Sequence, residues 1–515
     1  MYHTHVTQYL DEHAATHPDH VAVIDGEDRL LLGSLRNQAL RLAAVIVQQC
    51  PQVRQVVAVF LPKGIDAVIA DVAVNYSAHA YMNLDVNSPV QRNRNIFAAI
   101  QPALVITTKA LEERLRPMAG DIPVLCLEDA RAALAPEAKH SLLARRDACL
   151  DTDLMCIINT SGSTGTPKGV ALTHGGFMDM VQSAEQAGIL DDSPKIMASL
   201  SPAIFDIYVF ELCLVLMRRA TLLVIPETLV AFPARMLELM VAQHATWLFW
   251  VPTVMVNIAN MDLLAHIPLP EVRTVWFAGE VFPTAKCNYW RKHLPQASFV
   301  NLYGPIEISL DCAYCRLERE IPDDEPLPIG RAFPNKEILL LDAEGRQVAP
   351  GEEGEICVRG RGVAPGYYNN PEKTAAAFVQ DPRNTAYPEP LYRTGDIGVF
   401  NERGELLFKG RRDTLVKCKG YRIELNEIEH VVVATGLVQN CCALYAAAEQ
   451  RIVLLYESPE PVDERALRTA IARVLPRYML PTVYRQYPAL PRNANGKLDR
   501  LTLRQQFLGN TNAHA

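Results

Sequence analysis

The chain has 515 residues, 49% hydrophobic and 21% charged, a balance that describes a soluble globular protein with two or three domains. Against 58 acidic residues stand 50 Lys and Arg, a net charge of -8. With no basic run and no basic–aromatic interleaving, this argues against a nucleic-acid surface. Met1 to His20 is polar and lacks the apolar core of a signal peptide, and the apolar stretch Val56 to Val74 is broken by Lys63, Asp66 and Asp71. No membrane insertion and a cytosolic location are therefore expected. The 12 cysteines are scattered and read as reduced, buried side chains. Cys312 and Cys315 form a Cys-x-x-Cys pair without the two further ligands that a structural zinc needs.

Up to about residue 150, strand-like and helical segments alternate. Val21 to Ile24 reads as a strand, Leu35 to Gln49 as a helix, Val56 to Phe60 as a strand and Gly64 to Tyr76 as a helix. Leu104 to Thr107 and Val124 to Cys126 are further strand-like runs, so a layered α/β domain with parallel sheet is expected. Another apolar run, Leu154 to Ile158, leads into Thr160-Ser161-Gly162-Ser163-Thr164-Gly165-Thr166-Pro167-Lys168-Gly169. Glycines let the backbone approach an anion, hydroxyls and free N–H groups donate to phosphate oxygens, and Lys168 adds a positive charge. This is not a Walker loop, because Lys168 follows Pro167 and precedes Gly169.

Asp206 then stands among apolar and aromatic residues, before an apparent helix from Val209 to Met217. Chemistry alone leaves two readings of it: a helix cap or a ligand-binding carboxylate. Val272 to Phe277 and Phe299 to Tyr303 read as strands, the first ending in Ala278-Gly279-Glu280 and the second in Gly304-Pro305-Ile306-Glu307. An aromatic at a strand end can stack on a base, and a nearby acid can hold Mg2+ beside phosphates. From about 325 to 410 short strand-like runs recur between Gly, Asn and Pro, which predicts an antiparallel β-rich subdomain containing Tyr392 to Asp396. The dense segment Gly410 to Glu424 follows. A domain boundary is expected near Asp413, before a compact tail that ends with Asn495-Gly496-Lys497-Leu498-Asp499-Arg500.

These motifs, in this order, resemble the adenylate-forming superfamily: acyl-CoA synthetases, luciferases and nonribosomal peptide synthetase adenylation domains. The resemblance covers nearly the whole chain. It implies a large N-terminal domain of layered α/β subdomains plus a β-rich subdomain (1–412), and a small mobile α+β C-terminal domain (413–515) hinged at Asp413. It also implies two half-reactions: a carboxylate attacks the α-phosphate of ATP, and a phosphopantetheine thiol then attacks the resulting adenylate. Thr160, Ser161, Ser163, Thr164 and Lys168 resemble the pyrophosphate loop, and Glu307 the Mg2+ ligand. Tyr303 resembles the residue on adenine, lined by Gly279, Glu280, Asn301 and Leu302. Asp396 is expected at the ribose hydroxyls, Arg411 near the ribose and phosphate, and Lys497 at the α-phosphate and substrate carboxylate. Catalysis is thus assigned to Lys497, Glu307 and Lys168, and rotation about Asp413 would exchange Lys497 for Lys419-Gly420.

Asp206 matches the residue that pairs with the substrate α-ammonium in amino-acid-activating members. Phe205, Ile207, Phe210, Phe249, Trp276, Ala278, Leu302, Leu310 and Asp311 complete the expected pocket. Its three large aromatics leave little room, so glycine is favoured and alanine comes next. The run Trp276 to Pro283 resembles free-standing D-alanine–carrier protein ligases of cell-envelope modification and the glycine–carrier protein ligase of lipid A glycinylation. Ala278 stands where the D-alanine enzymes usually carry Cys. Asp311 could instead favour a small diamino acid, and an acyl- or aryl-CoA ligase is the other alternative. No carrier motif follows Arg500 and no condensation domain precedes the core, so a separate carrier protein is expected.

Overall fold

Two largely parallel sheets form the centre of the computed structural model, which describes residues 3–130, 135–160, 167–411, 415–491 and 498–508. Residues such as Val56–Val59 are buried along their whole length, the pattern of a strand covered on both faces. In one sheet, seven strands run in the order Gly366–Tyr367, Lys168–Thr173, Leu154–Thr160, Ala80–Asn83, Val56–Val59, Leu104–Thr107 and Val124–Cys126. Register is fixed by pairs such as Val57 with Tyr81 on one side and Leu104 on the other.

The second sheet has nine strands. Its inner five are Ser298–Tyr303, Thr274–Phe277, Trp247–Trp250, Ile196–Ser199 and Thr221–Val224, all parallel. The carboxyl ends of four of these strands lead directly into the Asp206, Thr253, Glu280 and Glu307 segments. An open α/β sheet presents its binding crevice at such ends. Helix Asp206–Arg218 packs between the two sheets and is buried almost all round.

The expected β-rich region is a five-stranded antiparallel sheet built on Lys336–Leu341, Gly354–Gly360 and Pro390–Phe400. The tail opens with an antiparallel hairpin, Leu415–Cys418 and Tyr421–Glu424. Helices Leu425–Ala434 and Glu464–Ala472 then pack with a three-stranded sheet around Ile428, Val432, Leu454 and Leu467.

Two sequence expectations need correction. The helix expected from Val209 begins at Asp206, and Phe205 holds the extended N-cap position. Asp206 is therefore not the cap. Its Oδ1 accepts from the N–H of Ile207 at 2.9 Å, satisfying one first-turn donor from inside the helix. The strand expected from Val272 starts at Thr274, where pairing with Ser298 begins. Ser161, Ser163, Thr164, Asp413 and Lys497 lie outside the described residues.

Candidate active site

Helix Asp206–Arg218 carries Asp206, Ile207 and Phe210 in its first two turns, with Asp206 and Phe210 one turn apart on the same face. Phe249 and Trp276 come from adjacent strands and stand in direct register. Phe210 stacks on Trp276 at 5.8 Å between ring centres, and Phe249 meets Trp276 edge-on at 5.7 Å. Trp247 closes the wall from behind, 5.2 Å from Trp276. The four rings are at most 1% exposed. Such offset and edge-on spacings are those of packed aromatic pairs, so the wall is closed rather than hollow. Ala278, Leu302 and Leu310 are buried beside it, and Phe205 lies edge-on to Tyr421 of the tail hairpin at 5.2 Å.

Two carboxylates, Asp206 and Asp311, lie near enough to influence each other's charge. Burial pushes Asp206 up to about 6, with the Lys417 ammonium acting against it. Asp311 is 2% exposed, and its Oδ2 has no hydrogen-bond partner among the described residues. Burial, then the charge of Asp206, pushes Asp311 well above the usual carboxylate range, while Lys417 and Lys336 act in the opposite direction. Lys336 is itself engaged with Asp179 at 3.1 Å. The hairpin lysine, Lys417, is held below the ordinary ammonium range by burial, despite the opposing pull of Asp396 and Asp311.

Asp396 accepts from the Tyr303 hydroxyl at 2.5 Å and pairs with Arg411 at 2.5 Å. Arg411 also donates to the carbonyl of Thr394 at 3.0 Å. Asn301 donates to the carbonyl of Pro328, and Thr160 to that of Lys168. Gly279 turns the chain with φ of +91°. Glu280 binds protein groups here: it accepts from the N–H and hydroxyl of Thr253 at 2.9 and 2.5 Å and from the N–H of Gly420 at 2.8 Å. It thus anchors the turn of the tail hairpin.

Glu307 is wholly buried. It pairs with Arg422 of the hairpin at 2.7 Å, accepts from the Tyr367 hydroxyl at 2.8 Å and lies 3.9 Å from the Lys168 ammonium. Burial alone would raise its pKa, but Arg422 and then Lys168 outweigh it and hold the group at about 2. Lys168 donates to Tyr367 at 3.0 Å and is lowered to about 8 by burial. A buried carboxylate held ionised by surrounding cations fits a Mg2+ ligand. The described residues contain no group of three or more protein metal ligands, so the remaining coordination would come from phosphate oxygens and water.

Residues 10–368, more than half of the chain, match the family model described as AMP-binding enzyme. The chain belongs to that family. As an adenylate-forming enzyme it uses ATP, with Mg2+. It is 30% identical, over 97% of its length, to Surfactin synthase subunit 1 of Bacillus subtilis (strain 168), but spans only 14% of that protein. It is 32% identical to Novobiocin biosynthesis protein H of Streptomyces niveus, covering 94% of this chain and 80% of the relative. Among solved structures, holo-PA1221, an NRPS protein containing adenylation and PCP domains, superposes with a TM-score of 0.82 at 24% identity, covering 98% of this chain and 84% of that one. The Vibrio cholerae adenylation domain AlmE, solved with glycyl-adenosine-5'-phosphate, gives a TM-score of 0.82 at 22% identity, covering 98% of both chains.

The fold therefore packs Phe210, Phe249 and Trp276 together, couples the charges of Asp206 and Asp311, and groups Glu307 with Lys168 and Tyr303 with Asp396 and Arg411. Sequence reasoning gave no role to Arg422, Tyr367, Lys417 or Trp247. Arg422 and Lys417 sat within a recognised motif, and that was their only signal. Tyr367 and Trp247 carried none.

Proposed function

We propose that this enzyme activates glycine, with alanine next in preference, as the aminoacyl adenylate, and then passes it to the phosphopantetheine thiol of a separate carrier protein. The closed wall of Phe210, Phe249 and Trp276 beside Asp206 carries this reading. Asp206 pairs with the α-ammonium, and the wall leaves space for hydrogen or a methyl group. In the first step the substrate carboxylate oxygen bonds to the α-phosphorus, and pyrophosphate leaves with the bonding electrons. Bound Mg2+ would sit at Glu307 and neutralise phosphate charge. Lys168 and the Thr160–Thr164 segment hold the pyrophosphate side, Tyr303 and Asp396 the nucleoside, and Lys497 the α-phosphate and carboxylate as charge builds. In the second step the thiol sulfur attacks the adenylate carbonyl, its proton is lost, and AMP departs.

In this reading residues 413–515 turn as a unit about Asp413. The hairpin contacts Arg422–Glu307 and Gly420–Glu280 support an arrangement in which the tail faces the thiol step. Asp311 favours one second reading, a small diamino acid whose side-chain ammonium it would bind. Burial and the charge of Asp206 hold Asp311 well above the usual carboxylate range, favouring its uncharged form, which supports the neutral substrate.

Amino-acid-dependent pyrophosphate exchange over glycine, both alanine enantiomers, β-alanine and small diamino acids tests the proposal. Glycine is expected to give the highest kcat/KM. Preference for a diamino acid would assign Asp311 the second role, and exchange only with aryl or fatty acids would refute amino-acid activation. Transfer of labelled glycine to a phosphopantetheinylated carrier checks the second step.

A further inference from the structure

The pocket helix has a second functional face. Phe210, one turn on from Asp206, packs on Trp276, while Tyr208 and Glu211 bond into a buried polar network with Asp71 and Ser199. Lys63, half-buried beyond strand Val56–Val59, reaches from the seven-stranded sheet across to the segment entering this helix. Its ammonium donates to the Ser199 carbonyl at 2.9 Å, the Ser199 hydroxyl at 2.6 Å and the Ser201 carbonyl at 2.7 Å. Ser199 in turn donates to Glu211. Asn83, at the end of the neighbouring strand, donates to the Ala203 carbonyl at 3.2 Å and to Asp71 at 3.0 Å. Asp71 also accepts from the Tyr208 hydroxyl at 2.8 Å.

Three carbonyls within the five residues from Ser199 to Ala203 are thus held by side chains from the opposite sheet. The same network grips the helix at Tyr208 and Glu211. Asp206 lies between these grips. Buried carbonyls need donors, but those donors need not come from two side chains of another sheet. An ammonium spread over two carbonyls and a hydroxyl fixes a segment more tightly than one neutral donor would, because charged donors make the stronger bonds.

We propose that Lys63 and Asn83 are positioning residues for substrate recognition: they clamp the Ser199–Ala203 segment and so fix where the Asp206 carboxylate meets the amino acid. Neither residue touches substrate. The inference rests on the reading that Asp206 binds an amino group.

The test is pyrophosphate exchange by Lys63→Met, Lys63→Arg, Asn83→Ala and Asp206→Ala, with thermal melting of each variant. For Lys63→Met the amino-acid KM is expected to rise at least tenfold while the KM for ATP stays within twofold. Lys63→Arg, which keeps the cationic donor, should recover part of that loss. Asn83→Ala should show the same split in smaller degree, and it carries the test alone should Lys63→Met fail to fold. An amino-acid KM within twofold of wild type in the folded variants would overturn the proposal. So would a parallel rise in both KM values, the mark of a merely structural role. Asp206→Ala separates the two ideas. If it leaves amino-acid-dependent exchange intact, the reading of Asp206 itself fails. If it abolishes exchange while Lys63→Met and Asn83→Ala leave KM unchanged, the clamp alone fails.

Discussion

Arg422→Met tests the proposed alternation between a seated hairpin and a site open to Mg·ATP. In the proposed reading Mg2+ sits at the Glu307 oxygen that Arg422 holds here, and the seated hairpin would then compete with Mg·ATP. The Arg422–Glu307 contact is a 2.7 Å charged hydrogen bond to a carboxylate with no solvent exposure. Such bonds contribute about 1.5–3 kcal/mol, and stripping one partner from a buried pair costs about 3–5 kcal/mol. The lower range applies here, because the Tyr367 hydroxyl at 2.8 Å and the Lys168 ammonium at 3.9 Å still face Glu307 after the substitution. At about 1.4 kcal/mol per decade, the seated hairpin loses roughly tenfold or more in population relative to the open site. Calorimetric titration with Mg·ATP, in the absence of amino acid, should therefore show an apparent Kd about tenfold lower than wild type. Thiol transfer should slow in the same variant, since the hairpin leaves its seat more often. An unchanged or weaker Mg·ATP affinity in a cooperatively melting Arg422→Met protein would refute the competition.

Asp206, raised to about 6, must be ionised to hold an ammonium. Below that pH the protonated form prevails in the free enzyme, so the amino-acid KM should rise about tenfold per pH unit and level off above it, with no such break in Asp206→Asn. Trp276→Ala removes a wholly buried indole from the pocket wall; exchange should extend to larger amino acids, at a stability loss of about 3–5 kcal/mol read from thermal melting. Gly420 has φ of +82°, and an added Cβ would meet Val251 Cγ1 at 2.9 Å, so Gly420→Ala should unseat the hairpin turn and slow carrier loading about tenfold, measured as thioester formation from preformed adenylate. Retention of the wild-type loading rate would show that the turn does not guide this step.

The parallel sheets were legible because their strands are unbroken apolar runs, as at Val56–Val59 and Leu104–Thr107. The candidate site residues stand out in the sequence where they follow strand ends within a few positions, as Glu307 follows Ser298–Tyr303. What stayed hidden depends on long-range docking. Arg422 and Glu307 are 115 residues apart, and only the seating of the tail brings them together. Glu280 meets Gly420 across 140 residues for the same reason. Trp247 was hidden by symmetry: every residue of Trp247–Trp250 is buried, so no alternation says which ring faces the pocket. The start of the pocket helix was missed because Asp206 satisfies a first-turn N–H from within, whereas capping rules look for that acceptor one residue earlier.

The distribution of charge gives the tail hairpin a meaning beyond packing. Asp206, Asp311, Asp396 and Glu307 all interact with one or other of two cationic side chains of the hairpin. Arg422 pairs with Glu307, and Lys417 is drawn by Asp396 and Asp311 while it opposes protonation of Asp206. Four buried or half-buried acids without cations would be costly to assemble. During adenylation the proposed substrates bring their own positive charge, as an ammonium at Asp206 and Mg2+ at Glu307. In that reading Glu307 would lose a cation when Mg2+ and pyrophosphate depart, and Arg422 of the hairpin would supply one in its place. The proposed order of the two half-reactions is then compatible with the electrostatics: loss of the first set of cations would favour seating of the second.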